Sequence, residues 1–163
     1  MTQLDCLSVP DLLRLHGGVL EELRRRQIVR SGNAPSGDYC ELLFSRAFGW
    51  RLEGNAFAGH DATDEHGVRY QIKSRRTTPR SRSRQLSFIR NLPARPFDVL
   101  AGVVLDGDFR VLKGALIPVE TVQEIAGFVR HVNAWRLVLR DSVWELSGVR
   151  DVTSELKAAQ ADI

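Results

Sequence analysis

The sequence predicts an α/β (α+β) fold: a single domain with a central mixed β-sheet flanked by helices. Two hairpin signals and a leucine pattern at helical spacing near the start of the chain carry that prediction. The first hairpin signal lies in "GHDATDEHGVRYQIKSRR", residues 59–76, and the second in "FDVLAGVVLDGDFRVLKGALIP", residues 97–118. A length of 163 residues suits one domain, burying roughly 70% of its unfolded surface. Hydrophobic residues make up 43% and charged residues 26%, an ordinary globular balance. The longest nearly apolar run, Phe97 to Leu105, is too short for a bilayer and contains Asp98. No basic-then-apolar leader opens the chain, so a cytoplasmic location with no membrane partner is expected. Two cysteines, Cys6 and Cys40, offer neither a disulfide framework nor four zinc ligands.

Taken in order, Ser8, Pro10 and Asp11 form a helix start. Leu12, Leu13, Leu15, Val19, Leu20 and Leu23 then recur at helical spacing to about Arg26, with Gly17-Gly18 expected to bend or split the helix. "RSGNAPSG", residues 30–37, is a loop by composition. A second helix is expected from Asp38 to Phe48, stopped by Gly49. Strands follow at 50–53, 60–64 and 68–74, then an arginine-rich stretch whose run Thr77 to Arg84 is expected to be mobile without a ligand. The second hairpin should turn at Asp106-Gly107. A helix over 119–126, a strand near 136–140 and a helix from Asp151 complete the chain. The domain thus divides into an N-terminal helix and loop extension (1–36), a motif-bearing helix and hairpin (37–75), an arginine-rich loop (76–96) and the remainder of the sheet and helices (97–163).

The first hairpin sorts polar from apolar side chains. Glu65, His66 and Gly67 make a three-residue loop with glycine last, which pairs Asp64 with Val68 and Asp61 with Gln71. Alternation then places Asp61, Thr63, Arg69, Gln71 and Lys73 on one face, with Ala62, Val68, Tyr70 and Ile72 on the other. Opposed Cβ atoms lie ~5 Å apart, so Asp61 and Gln71 could share one cation, with Lys73 close by. On the second helix, Glu41 shares its side with Phe44, Ser45 and Phe48. A lone helix glutamate is usually solvated, but a carboxylate on an apolar edge needs compensation, and beside such a hairpin it reads as a third metal ligand or a partner of Lys73.

Basic residues concentrate in one segment. Between Gln71 and Phe97 lie Lys73, Arg75, Arg76, Arg80, Arg82, Arg84, Arg90 and Arg95, and no acid. Outside it the chain is net acidic, so the positive charge is local, as in a polyanion site. Arginine suits phosphate because its planar fork offers two parallel donors. Nucleic acid is therefore the expected partner, bound through Arg75, Arg76, Arg80, Arg82, Arg84 and Arg90. A solubilising loop is the plainer alternative.

The text "GDYCELLFSRAFG…GHDA…GVRYQIKSRR" resembles the PD-(D/E)XK, restriction-endonuclease-like superfamily, in its Q-x-K variant. Residues 20–155 also resemble a bacterial family with "GDYxE…GxDA…YQIKSRR" motifs and a similar second half. The resemblance implies a restriction-endonuclease-like core, with Asp61 at the metal-binding aspartate, Gln71 at the (D/E) position, Lys73 at the lysine and Glu41 at the helix glutamate. Catalytic residues would then be Asp61, Gln71, Lys73 and Glu41, with Asp61, Gln71 and Glu41 as metal ligands. The implied activity is endonucleolytic hydrolysis of phosphodiesters, most naturally in DNA, with Mg²⁺ as cofactor and Mn²⁺ able to substitute. A homodimer would let two sites cut two strands. Gln71 departs from the acid usual at its position, although Q-x-K also occurs in active Mrr-type nucleases, and His60 stands where proline is common.

Hydrolysing a phosphodiester asks for about 23 kcal/mol of barrier lowering, whereas one general acid or base supplies ~3–5 kcal/mol. A divalent ion is the expected remedy. The alternative function is a catalytically degenerate nuclease-fold protein that binds nucleic acid in a regulatory or structural role. A helix-turn-helix reading of residues 12–30 ranks below these, because the connection from Gln27 to Gly37 is long for a 3–4-residue turn. His66 reads as a turn residue and His60 as packed or capping. His131 and Asn133 read as loop-holding residues, Trp135 and Trp144 as core or lid aromatics, and Cys40 as a small core residue.

Overall fold

Residues 4–32, 34–54 and 59–163 are described by the computed structural model. Part of the 30–37 loop, residue 33, lies outside the described residues. Helix α1, Val9–Arg25, begins as expected: the Asp11 N–H donates to Ser8 Oγ at 3.3 Å, and Pro10 occupies the first turn. Gly17-Gly18 do not break it. Ion pairs one turn apart flank the glycines, Arg14 with Asp11 and Arg25 and Arg26 with Glu22, the kind of contact that supports an exposed helix. Helix α2, Ser36–Phe48, starts two residues earlier than expected and closes on Gly49 at φ 70°, a left-handed cap that glycine adopts without strain.

Among the described residues, the main sheet has six strands: β1 (Arg51–Leu52), β2 (Ala62–Thr63), β3 (Arg69–Arg76), β4 (Val99–Leu105), β5 (Val111–Pro118) and β8 (Arg150–Asp151), in that spatial order. Between β5 and β8 come helix α3 (Val119–Ile125) and a separate two-stranded ribbon, β6 (Gly127–Val129) and β7 (Ala134–Arg136). Helix α4 is Thr153–Ala161. The sheet is mixed: β3 and β4 run parallel and the other neighbours antiparallel.

Parallel pairing of consecutive strands obliges the chain to return to its starting edge, so the arginine-rich segment is the crossover. It is not a free loop. Leu86, Ile89, Leu92 and Phe97 are buried against the sheet, and Thr78 and Ser81 exchange backbone hydrogen bonds of 2.9 and 3.0 Å. The later part of the segment is therefore anchored through its apolar residues, which have a core to enter.

Two cores sandwich the sheet. On one face α2 and α4 pack Cys40, Leu43, Phe44 and Leu156 over Ala62, Tyr70, Ile72 and Val103. On the other, the crossover, α3 and residues 137–143 cover Leu100, Val104, Ala115 and Ile117. At Gly114 in β5 an added Cβ would lie 2.4 Å from Leu156 Cδ1; a missing side chain there lets α4 seat on the sheet.

Two further expectations are corrected. The second hairpin turns over Asp106–Arg110, and Phe109, not Gly107, takes the positive φ of 63°. The Asp106 carboxylate holds this wider turn by accepting the N–H groups of Asp108 and Arg110 at 2.8 and 2.9 Å. The strand expected near 136–140 forms earlier, as β7, and pairs with β6 outside the main sheet; Leu137 and Leu139 are instead buried in the second core. Among the described residues no helix is long and apolar enough to cross a membrane.

Candidate functional site

Strands β2 and β3 pair Ala62 with Tyr70 and Thr63 with Arg69, which is the register that sets Asp61 opposite Gln71. Gly67 takes φ 79° at the end of the three-residue loop. Asp64 fixes the turn: its Oδ1 accepts the N–H groups of His66 and Val68, both at 2.9 Å. Its Oδ2 accepts the Tyr70 hydroxyl, also at 2.9 Å. Tyr70 in turn lies on Trp50, with ring centroids 3.6 Å apart. Trp50 is stacked on Phe44 and Phe48 of α2. This aromatic pile fixes α2 against the hairpin and so determines where Glu41 sits.

Asp61 and Gln71 are in contact, and Lys73 and Glu41 lie near enough to act on Asp61 electrostatically. Asp61 Oδ2 accepts the Ile72 N–H at 2.6 Å and the Gln71 amide N–H. Lys73 is close enough that both Asp61 and Glu41 favour its protonated form, and Asp61 and Glu41 repel each other. All four are half-buried and retain accessible surface. Burial raises the Asp61 and Glu41 carboxyls above their ordinary values and lowers the Lys73 ammonium, in each case as the largest cause. Neighbours act in both directions: Lys73 steadies Asp61, Arg30 steadies Glu41, and Arg90 opposes the charge on Lys73. The Gln71 amide nitrogen is engaged by Asp61, which leaves its oxygen as the atom that would ligate a shared cation. Among the described residues no group of three or more His, Cys, Asp or Glu side chains could hold a metal ion; two carboxylates and an amide are what the hairpin and α2 bring together.

Sequence reasoning missed Arg30 and Glu53. Arg30 ion-pairs with Glu41 and donates from Nη1 to the Glu53 carbonyl at 2.9 Å. Its backbone N–H and that of Ser31 donate to Asp38 at 2.7 and 2.6 Å. The Glu53 carboxylate accepts the Thr63 hydroxyl at 2.9 Å and lies 3.8 Å from His60 Nε2. Neither residue has a periodic signal, because its partners lie far along the chain. His60 therefore flanks the site as the partner of Glu53.

The basic residues divide into two groups. Arg75 donates to Ser83 O and Ser81 Oγ; Arg76 donates to Gly107 O and covers the Phe109 ring at 4.2 Å. Arg84 shares Asp141 with Lys113, and Arg95 pairs with Glu120. Arg80, Arg82 and Arg90 are exposed and make no hydrogen bond or ion pair among the described residues. Of the six arginines expected to bind nucleic acid, these three have side chains without an internal partner among the described residues. Arg75, Arg76 and Arg84 also position the segment. Cys40 is fully buried, and burial pushes its thiol up to about 12, as befits a core residue.

The titration shifts predict a pH effect on stability. A carboxyl whose folded pKa is raised contributes stability below its ordinary value, and that contribution is lost as pH rises through the folded pKa. For Asp61 the window opens at 3.8 and extends upward. Asp61→Asn, which can still accept the Ile72 N–H, should therefore gain in Tm over the wild type as pH rises above 3.8, until the folded carboxyl is fully ionised. Calorimetry at several pH values checks this, and a difference that stays flat with pH would contradict it.

No protein-family model matches this chain, and no curated protein matches its sequence.

Proposed function

We propose that the protein is a Mg²⁺-dependent nuclease that hydrolyses phosphodiester bonds, most naturally in DNA, with Mn²⁺ able to replace Mg²⁺. The observation that supports this reading is the contact of Gln71 with Asp61, with Glu41, Lys73 and the exposed Arg90 near enough to act electrostatically within the same group. Two carboxylates held above their ordinary pKa by burial, Glu41 also by the nearby charge of Asp61, suit a small hard cation, which relieves both penalties. A bound Mg²⁺ would activate a water and polarise a phosphoryl oxygen. Asp61 and Glu41 would hold the ion. Lys73 would donate hydrogen bonds to the attacking water or to charge developing on the phosphate. Arg90, Arg80 and Arg82 would bind flanking phosphates, and a homodimer would serve double-strand cutting.

The test is a cleavage panel of plasmid, linear duplex, single-stranded DNA and RNA with Mg²⁺, Mn²⁺ or chelator. Nicking or cutting of DNA that needs the metal is expected; absence of cleavage on every substrate in either metal would defeat the enzymatic reading.

A second reading rests on Gln71 and Arg30. The Gln71 amide already donates to Asp61, and Glu41 is already paired with Arg30, an arrangement that suits a degenerate site in a nucleic-acid-binding protein with a regulatory or structural role. It predicts salt-sensitive binding with a slope near −0.9 per neutralised phosphate on duplex, without cleavage.

A further inference from the structure

A second stretch of the chain lacks acids. From Ala126 to Arg140 the sequence "AGFVRHVNAWRLVLR" holds Arg130, His131, Arg136 and Arg140 and no Asp or Glu. The fold brings this stretch against the acid-free crossover. Isolated bridges pair Gln85 with Val138 and Ile89 with Trp135, and Ile89 and Trp135 exchange backbone hydrogen bonds of 2.9 and 2.8 Å. Trp135 pairs in turn with Phe128 across the β6–β7 ribbon. Ile89, Trp135 and Phe128 therefore lie side by side on three adjacent segments and share one face. Burial falls along that row: Ile89 is buried, Trp135 is half-buried, and Phe128 at the outer edge is 53% exposed.

The alternate positions carry charge. Arg90 and Arg136 neighbour Ile89 and Trp135 in the chain and so lie on the opposite face of the ribbon. Arg130 follows β6 directly. Arg90, Arg130, Arg136 and Arg140 make no hydrogen bond or ion pair through their side chains among the described residues. Arg90 is also the cation felt by Lys73, so this charge begins at the candidate site and runs outward. Phe128 has its ring centroid 4.8 Å from that of Trp135, tilted by 51°, which fixes one edge of the ring and leaves the rest open to solvent. Phe128 and, two residues on, Arg130 thus stand at the outer end of the ribbon, with Arg136 on its reverse, so a strand passing round this edge has an aromatic to stack a base on one side and unneutralised arginines to hold its backbone at the end and on the other.

We propose that the β6–β7 ribbon is the outer half of the nucleic-acid interface. Arg130 and Arg136 contact phosphates, and Phe128 stacks on an unpaired base. The preferred ligand is then single-stranded DNA, or duplex DNA with a single-stranded tail or gap. This rests on the reading of the crossover arginines as a nucleic-acid surface, but not on cleavage.

The test is binding of fluorescent oligonucleotides by the full chain in chelator: a blunt duplex, the same duplex with a single-stranded tail, and the single strand. The wild type should prefer the two ligands with unpaired bases. Phe128→Ala should lose at least about 5-fold in affinity for those ligands and leave blunt duplex unchanged, while Phe128→Trp retains the preference. Arg130→Ala with Arg136→Ala should weaken binding to every ligand and reduce the duplex salt slope by about 2. Unchanged affinity and slope in these variants, with Arg80, Arg82 and Arg90 substitutions still weakening binding, would remove the ribbon from the interface and leave the functional reading intact. Failure of the wild type to bind any of the ligands would overturn both, whereas absence of cleavage with binding as described supports the ribbon and removes only the enzyme. Equal unfolding temperatures for the exposed-site variants establish that the losses are local.

Discussion

Asp61→Ala and Lys73→Ala should each lower Mg²⁺-dependent DNA cleavage by at least ~10²-fold, the scale on which loss of a single preorganised charge-stabilising group is felt. The two variants fail for different reasons. Asp61 is the hub: its Oδ2 accepts the Ile72 N–H at 2.6 Å and the Gln71 amide N–H, and it supports the charge on Lys73. Its removal takes away the carboxylate proposed to hold the metal and leaves a backbone donor unsatisfied, worth about 1–3 kcal/mol of stability. Asp61→Asn separates these effects. It retains an acceptor for Ile72 and lacks the charge, so it should remain folded and still be inactive. Lys73 holds no ligand role in this scheme. Its alanine variant should bind DNA nearly as well as the wild type and lose kcat rather than raise KM. Gel-based nicking rates, read beside unfolding temperatures, decide the matter. Cutting at the wild-type rate in either variant would place the site elsewhere on the protein.

Phe44→Ala should give the largest loss of stability, about 3–5 kcal/mol. Phe44 is fully buried in α2 and stacks on Trp50 with centroids 5.5 Å apart, in the pile that continues to Tyr70. No neighbouring group can fill the space of a ring held between a helix and a sheet, so the cavity term adds to the lost transfer energy. For a chain of this size each kcal/mol moves Tm by roughly 2–4 °C, so a fall of about 6–20 °C is expected. The substitution lies one turn from Glu41, and loosening α2 there should also weaken the approach of Glu41 to Asp61. A change of only a degree or two would mean that the pile does not secure α2 to the hairpin.

The sequence by itself determined the parts of this protein that obey a short period. Alternation sent Ala62, Tyr70 and Ile72 to the core and Asp61, Gln71 and Lys73 to the other face, and a glycine-closed loop left one register open to them. The caps at Ser8 and Gly49 were legible for the same reason, since each depends on residues within one turn. Tertiary structure alone decided the rest. The pairing of Arg30 with Glu41 spans a loop, the seating of the crossover depends on Leu86 and Ile89 finding the far face of the sheet, and the ribbon at 127–136 takes its place beside Ile89 through bridges nearly 50 residues apart in sequence. Local pattern constrains only neighbours whose spacing the backbone itself sets. Contacts between distant segments are chosen by which buried surfaces and charges fit together once the chain has closed on itself, and no window of sequence records that choice.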